Sequence, residues 1–272
     1  MRFACIQHDI AWEDKPANQG HIQQMLAESN LERGSFCVLP ELADTGFSIN
    51  TERTCEGDSL GWATAMARSH SMWIQSGHVH GTPSGPVHNC ASIVCPDGTV
   101  LGSYRKIFPF MTEAPHYESG ARLLLARCNG VHVCPMICYD LRFPELWRLA
   151  TLAGTEVFTI GASWPARRQS HWRSLLIARA IENQAFVVAA NRVGHDPNTN
   201  YLGGSMIIDP RGEVIHEASD GEAVLQAELD LADLRRWRRK FPVLEDVRHH
   251  LLGNVQIESV DFDQLAISST DH

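Results

Sequence analysis

The chain has 272 residues, 44% of them hydrophobic and 20% charged, the balance of a globular protein with a sizeable core rather than a disordered one. A formal net charge of -9 argues against nucleic acid as a partner, because phosphates need a basic surface. No run approaches the roughly 18 to 20 apolar residues of a membrane span, and Arg2 enters a strand-like run with no signal-peptide pattern, so a cytoplasmic protein without membrane contact is expected. No Pro/Gly/Ser linker or charge run divides the chain, which predicts one domain over residues 1–253 and a polar, acidic C-terminal tail over 254–272.

In chain order, the pattern predicts a strand over Arg2–Ile10 and a helix over Lys15–Arg33, ended by Gly34. Ser35-Phe-Cys-Val-Leu-Pro-Glu41 reads as a second strand running into a carboxylate. Residues Gly57–Ser71 are helical; Trp73–Gly81, Asn89–Cys95 and Thr99–Lys106 are strands, the last two joined by the turn Pro96-Asp-Gly98. That hairpin has an echo: Ile93-Val-Cys-Pro-Asp-Gly-Thr-Val-Leu101 is matched by Ile207-Ile-Asp-Pro-Arg-Gly-Glu-Val-Ile215.

The apolar run Val131–Ile137 is a further strand that stops at Cys138. Asp140 is a candidate N-cap, and Pro144 leads a helix that stops at Gly154. A thiol on such an elbow has backbone N–H groups and a helix N-terminus nearby, both favouring a thiolate. Glu156–Gly161 is a strand, Ser170–Gln184 a helix and Phe186–Asn191 a strand, an α/β alternation that collects polar residues at strand ends. The arginine-rich Leu231–Lys240 is a short surface helix. The eight cysteines lie in apolar runs with no Cys-x-x-Cys pair and are expected to be reduced. Cys134 and Cys138 would be about 13 Å apart along a strand, too far for one metal. His78 and His80 share a strand face, but the usual zinc spacings are missing, so no metal is expected.

Composition alone would make Glu41 and Lys106 solvated strand-end charges and Cys138 a buried hydrophobe. Three stretches argue otherwise. Cys138-Tyr-Asp-Leu-Arg-Phe-Pro-Glu145, Leu39-Pro-Glu41 with Thr45-Gly46-Phe47, and Tyr104-Arg-Lys106 before an apolar loop together resemble the three catalytic motifs of the nitrilase superfamily of carbon-nitrogen hydrolases. The likeness runs from Phe3 to about Leu252, and Trp164-Pro165 with Ala178-Arg-Ala-Ile-Glu-Asn-Gln184 is similar to the omega-amidase branch.

The resemblance implies an α/β fold, a four-layer α-β-β-α sandwich with an internal pseudo-twofold. It implies Cys138 as nucleophile, Glu41 as base and acid, Lys106 as oxyanion stabiliser with the backbone N–H of Tyr139, and a second glutamate, Glu118, with Glu113 as the other choice. The expected reaction is hydrolysis of a small-molecule amide through a cysteine thioester, without a cofactor. A nitrile or N-carbamoyl substrate on the same triad, a Cys-His hydrolase, and a non-catalytic or zinc-binding protein are the alternatives. Trp164, Arg167 and Arg168, past a strand end, are expected to bind substrate, a guanidinium gripping its carboxylate. A homodimer or higher homo-oligomer is expected, because Leu146, Trp147 and Leu149 crowd the helix after Cys138.

Overall fold

The structure, a computed structural model, describes residues 1–248, 250 and 256–261. The first half runs β1 (Arg2–Gln7), α1 (Lys15–Glu28), β2 (Phe36–Val38), α2 (Thr51–Thr54), α3 (Ser59–His70), β3 (Trp73–Gly81), β4 (Val87–Val94) and β5 (Val100–Arg105). The second runs β6 (Arg122–Cys128), β7 (Val131–Ile137), α4 (Pro144–Leu152), β8 (Val157–Ala162), α5 (Gln169–Asn183), β9 (Phe186–Asn191), β10 (Val193–Asp196), β11 (Thr199–Leu202), β12 (Met206–Ile208) and β13 (Val214–Glu217). The chain then adds β14 (Ala223–Glu228), α6 (Leu231–Lys240) and β15 (Gln256–Asp261).

Two large sheets result, ordered β14-β1-β2-β3-β4-β5 and β13-β12-β9-β8-β7-β6-β15, with β10 and β11 a separate hairpin. Read outward from β1 and from β7, both sheets make the same succession of pairings: parallel, parallel, antiparallel, antiparallel, with an antiparallel partner (β14 or β6) on the other side. This is the expected pseudo-twofold. The sequence echo falls on β4-β5 and β12-β13, and each hairpin has a register shift at the matched position, Ile93/Val94 and Ile207/Ile208. Gly98 and Gly212 take φ of 88° and 89°, the left-handed turn conformation that glycine adopts without strain.

Alternation along the strands builds the layers. Phe36 and Val38 join the core that reaches Val133, Ile137 and Phe158 of the other sheet, while Cys37 and Leu39 point to the opposite core, with Ile22 and Leu26 of α1 and Ala63 and Met66 of α3. Helices α4 and α5 cover the second sheet through Trp147, Ala150, Trp172 and Leu176. The four-layer α-β-β-α sandwich follows.

Several boundaries differ from the sequence reading. The first helix stops at Glu28 because Asn30 turns left-handed at φ 54°, and β1 ends at Gln7 because the chain leaves the sheet for a lone bridge between Asp9 and Val193. Asp140 does not cap α4; Phe143 stands at that position with no side-chain bond, and the buried Asp140 carboxylate turns inward. Leu146 and Trp147 are buried within this chain, and Leu149 is half-buried against the same core. Part of the expected tail, Gln256–Asp261, pairs parallel with β6 as an edge strand; its residues 254, 255 and 262–272 lie outside the described residues. No helix among the described residues is long and apolar enough to cross a membrane.

Candidate active site

Glu41, Lys106 and Cys138 arrive from three strand ends, those of β2, β5 and β7. The Glu41 loop is pinched between the sheets at two glycines. A Cβ on Gly77 of β3 would lie 2.2 Å from the Pro40 carbonyl oxygen, and one on Gly161 of β8 would lie 2.6 Å from that of Leu39. Side chains there would push the carboxylate out of place. Leu42, which follows, has φ 48°, and Cys138 has φ 40°; both are non-glycine residues held left-handed at the turns that present the functional groups.

The Cys138 elbow is held by Asp140. Its carboxylate accepts the Tyr104 hydroxyl at 2.8 Å, the Phe108 N–H at 3.0 Å and the Ile137 N–H at 3.2 Å, tying the cysteine turn to the loop after Lys106. Burial pushes the Asp140 carboxyl up to about 7, against the pull of Lys106 and these donors. The sequence reading placed a helix N-terminus beside the thiol. Cys138–Arg142 form a 3-10 turn and α4 begins only at Pro144, so the thiol does not sit on that helix's N-terminus, and it is the Ser163 N–H, past the end of β8, that pulls its ionisation down.

Lys106, 1% exposed, donates to Glu41 Oε1 and to Glu113 Oε2, each at 2.6 Å. Burial works against this ammonium, but the Glu113 and Glu41 carboxylates outweigh it and hold Lys106 charged. Glu41 Oε2 accepts the Ser163 N–H at 2.9 Å. Burial, then the Glu41 charge, push the Cys138 thiol well above its ordinary range, while Lys106 and the Ser163 N–H pull it down; Glu41 is also its hydrogen-bond partner. The Cys138 thiol is therefore held neutral beside a buried carboxylate. All eight cysteines are free thiols, as expected. His78 spends its nitrogens on Ser92 and the Val79 carbonyl.

The second glutamate beside Lys106 is Glu113, not Glu118. The turn after Phe110, closed by N–H donations from Glu113 and Ala114 to the Phe110 carbonyl, folds Glu113 back into a fully buried position, where it also accepts the Phe110 N–H. Glu118 is exposed on a separate groove with Arg105 and Arg122, fixed only by its backbone to Val87 and His88. We expect Glu113→Gln to lower kcat by about 100-fold, the order of one charge-assisted bond at a reacting centre. Glu118→Gln should stay within about twofold of wild type. Equal losses in steady-state ammonia release would reverse this assignment.

A cavity of about 350 Å³ opens over Cys138, walled by Trp12, Phe47, Phe110, Tyr139, Trp164 and Tyr201. Arg167 and Arg168 line it, as expected, and so does Arg142, which the sequence reading missed. Arg142 lies over the Trp164 ring at 4.7 Å and Arg168 over that of Phe110 at 5.2 Å. Among the described residues none of the three is paired with a carboxylate. Burial and the charges of Arg167 and Arg142 hold the Arg168 guanidinium below its ordinary range, the mark of cations gathered without a counterion. Asn89, also missed, had a signal: a polar side chain inside the buried strand Val87–Val94 needs partners.

A profile of the carbon-nitrogen hydrolase family matches residues 2–239. The chain belongs to the carbon-nitrogen hydrolase family. It is 36% identical over 255 residues to the 2-oxoglutaramate amidase of Bacillus subtilis, covering 92% of this chain and 98% of that one. It is 37% identical over 251 residues to the omega-amidase YafV of Escherichia coli, covering 90% and 96%. The crystal structure of XC1258 from Xanthomonas campestris, a CN-hydrolase superfamily protein with an arsenic adduct in its active site, superposes on this carbon-nitrogen hydrolase with a TM-score of 0.86 at 30% identity, covering 93% of this chain and 99% of that one.

Proposed function

We propose that this carbon-nitrogen hydrolase is an amidase that cleaves the terminal amide of a small carboxylic acid, such as a 2-oxo-dicarboxylate monoamide, through a thioester on Cys138. The observation that carries the reading is the pairing of a neutral buried thiol and its carboxylate partner with a cavity whose cations have no counterion. The relatives named as 2-oxoglutaramate amidase and omega-amidase support the same substrate class.

In this reading Glu41 takes the thiol proton as Sγ attacks the amide carbon. The oxyanion that forms is stabilised by the Lys106 ammonium and the Tyr139 N–H. Protonated Glu41 then gives its proton to the departing nitrogen, the C–N bond breaks, and ammonia leaves a thioester on Cys138. Water attacks the thioester carbon with Glu41 as base, the C–S bond breaks, and the acid leaves with the thiol restored. Glu113 acts through Lys106, sharing its charge so that the lysine stays protonated throughout.

Arg142, Arg167 and Arg168 are the cations for the substrate's own carboxylate. Arg167→Ala and Arg168→Ala are each expected to raise KM for the carboxylate-bearing amide by about tenfold, one charge-assisted contact, with kcat much less affected. Turnover of the corresponding methyl ester should be unchanged by either. The governing experiment is ammonia release from a panel of amides, nitriles and N-carbamoyl compounds. The carboxylate-bearing amide is expected to lead it, and a simple aliphatic nitrile as best substrate would overturn the reading.

A further inference from the structure

We infer that Asn89 is a positioning residue that decides which oxygen of Glu41 receives the thiol proton. This rests on the proposed reading that Glu41 is the base for Cys138. Asn89 lies on β4, 1% exposed, and its carbonyl accepts the Lys106 N–H at 2.9 Å, so the two residues stand side by side. One presents an ammonium and the other an amide to the same pair of carboxylates. Asn89 Nδ2 donates to Glu41 Oε1 at 2.9 Å and to Glu113 Oε1 at 2.7 Å. With the two Lys106 bonds these close a ring: Glu41 Oε1, Lys106 Nζ, the Glu113 carboxylate, Asn89 Nδ2 and back to Glu41 Oε1.

The orientation of this amide follows from its neighbours. Turned over, it would aim Oδ1 at two carboxylates. As placed, Oδ1 is buried without a partner, a cost that the two charge-assisted donations offset. The consequence lies on Glu41. Its Oε1 already accepts two donors, Lys106 and Asn89, whereas Oε2 accepts only the Ser163 N–H, the same N–H that reaches the Cys138 sulfur. Oε2 thus keeps acceptor capacity for the thiol proton. When Glu41 is protonated it loses the charge that draws Lys106. The neutral Asn89 donor still holds Oε1, so the carboxyl group does not rotate between taking the proton from sulfur and giving it to nitrogen.

The test compares Asn89→Ala, Asn89→Ser and Asn89→Asp by two readouts: steady-state ammonia release and the rate of Cys138 alkylation by iodoacetamide, followed by intact mass. Asn89→Ala is expected to lower kcat by about 30-fold, the order of losing hydrogen bonds to charged groups, with KM within about twofold. Alkylation should slow by about tenfold, because the base is no longer aligned. Asn89→Ser, which keeps one donor, should recover part of both losses. Asn89→Asp, nearly isosteric but without a donor, should recover neither, and it carries the test if the alanine variant does not fold. In a cycle with Glu113→Gln the combined loss should be smaller than the product of the single losses, since both changes open the same ring; a residue that serves only the fold would give multiplying effects. Alkylation and kcat within about threefold of wild type in a folded Asn89→Ala or Asn89→Asp would overturn the inference. Should wild type hydrolyse no amide while alkylation still falls in these variants, the substrate reading fails and the role of Asn89 stands.

Discussion

Replacing Cys138 by alanine is expected to abolish turnover, by at least about 10⁴-fold, while the protein stays folded. In the proposed reaction this residue supplies the bond to the acyl carbon. Its contribution to packing is small: a buried thiol traded for a methyl group costs on the order of 1 kcal/mol, and alanine at φ 40° has the same backbone strain as cysteine. A thermal melt close to that of wild type, beside ammonia release at the detection limit, is the expected pair of results. Iodoacetamide should modify Cys138 first. Cys55 is the more accessible thiol, but burial pushes its ionisation up. A variant that keeps a tenth of the activity would remove the nucleophile from the account.

Glu41→Gln is expected to cost about 10³-fold in kcat, with the loss in acylation as well as deacylation. The amide keeps the volume but cannot take the thiol proton or activate water. Burial still pushes the Cys138 thiol up when the Glu41 charge is gone, and no base is left to take its proton. The substitution also sets an amide N–H against the Ser163 N–H that Oε2 accepts in the native protein. Rapid quenching should therefore find no acyl-enzyme in this variant. An acyl-enzyme that forms at the wild-type rate and then persists would confine Glu41 to the second half-reaction.

Much of the fold was legible in the sequence because buried strands and amphipathic helices leave strong periodic signals. Val131–Ile137 and Phe186–Asn191 came out as whole strands, and the echoed Pro-x-Gly turns marked the two sheet edges. The helix over Lys15–Glu28 was overrun by five residues because nothing in the pattern gives Asn30 its left-handed turn. The hairpin β10-β11 was missed altogether, since its short strands alternate weakly. At the site, Glu41, Lys106 and Cys138 are strand-end residues and carry a local motif. Glu113 carries none: it is recruited by a turn at Phe110 whose outcome depends on the charge waiting at Lys106. Asp140 illustrates the reverse, a residue whose type suits a helix cap locally but whose partners, Tyr104 and Phe108, come from β5 of the other sheet and the loop after it. Arg142 joined Arg167 and Arg168 only through the three-dimensional packing of one strand end against the next.

The central claim is a thioester on Cys138 formed from an amide. Its most direct test is the intact mass of the enzyme quenched in acid during turnover of a 2-oxo-dicarboxylate monoamide. A mass increment equal to the acyl group is expected, mapped to the peptide carrying Cys138, accompanied by an equivalent of ammonia and absent from Cys138→Ala. Ammonia released with no adduct under any quench, and released equally by Cys138→Ala, would contradict it.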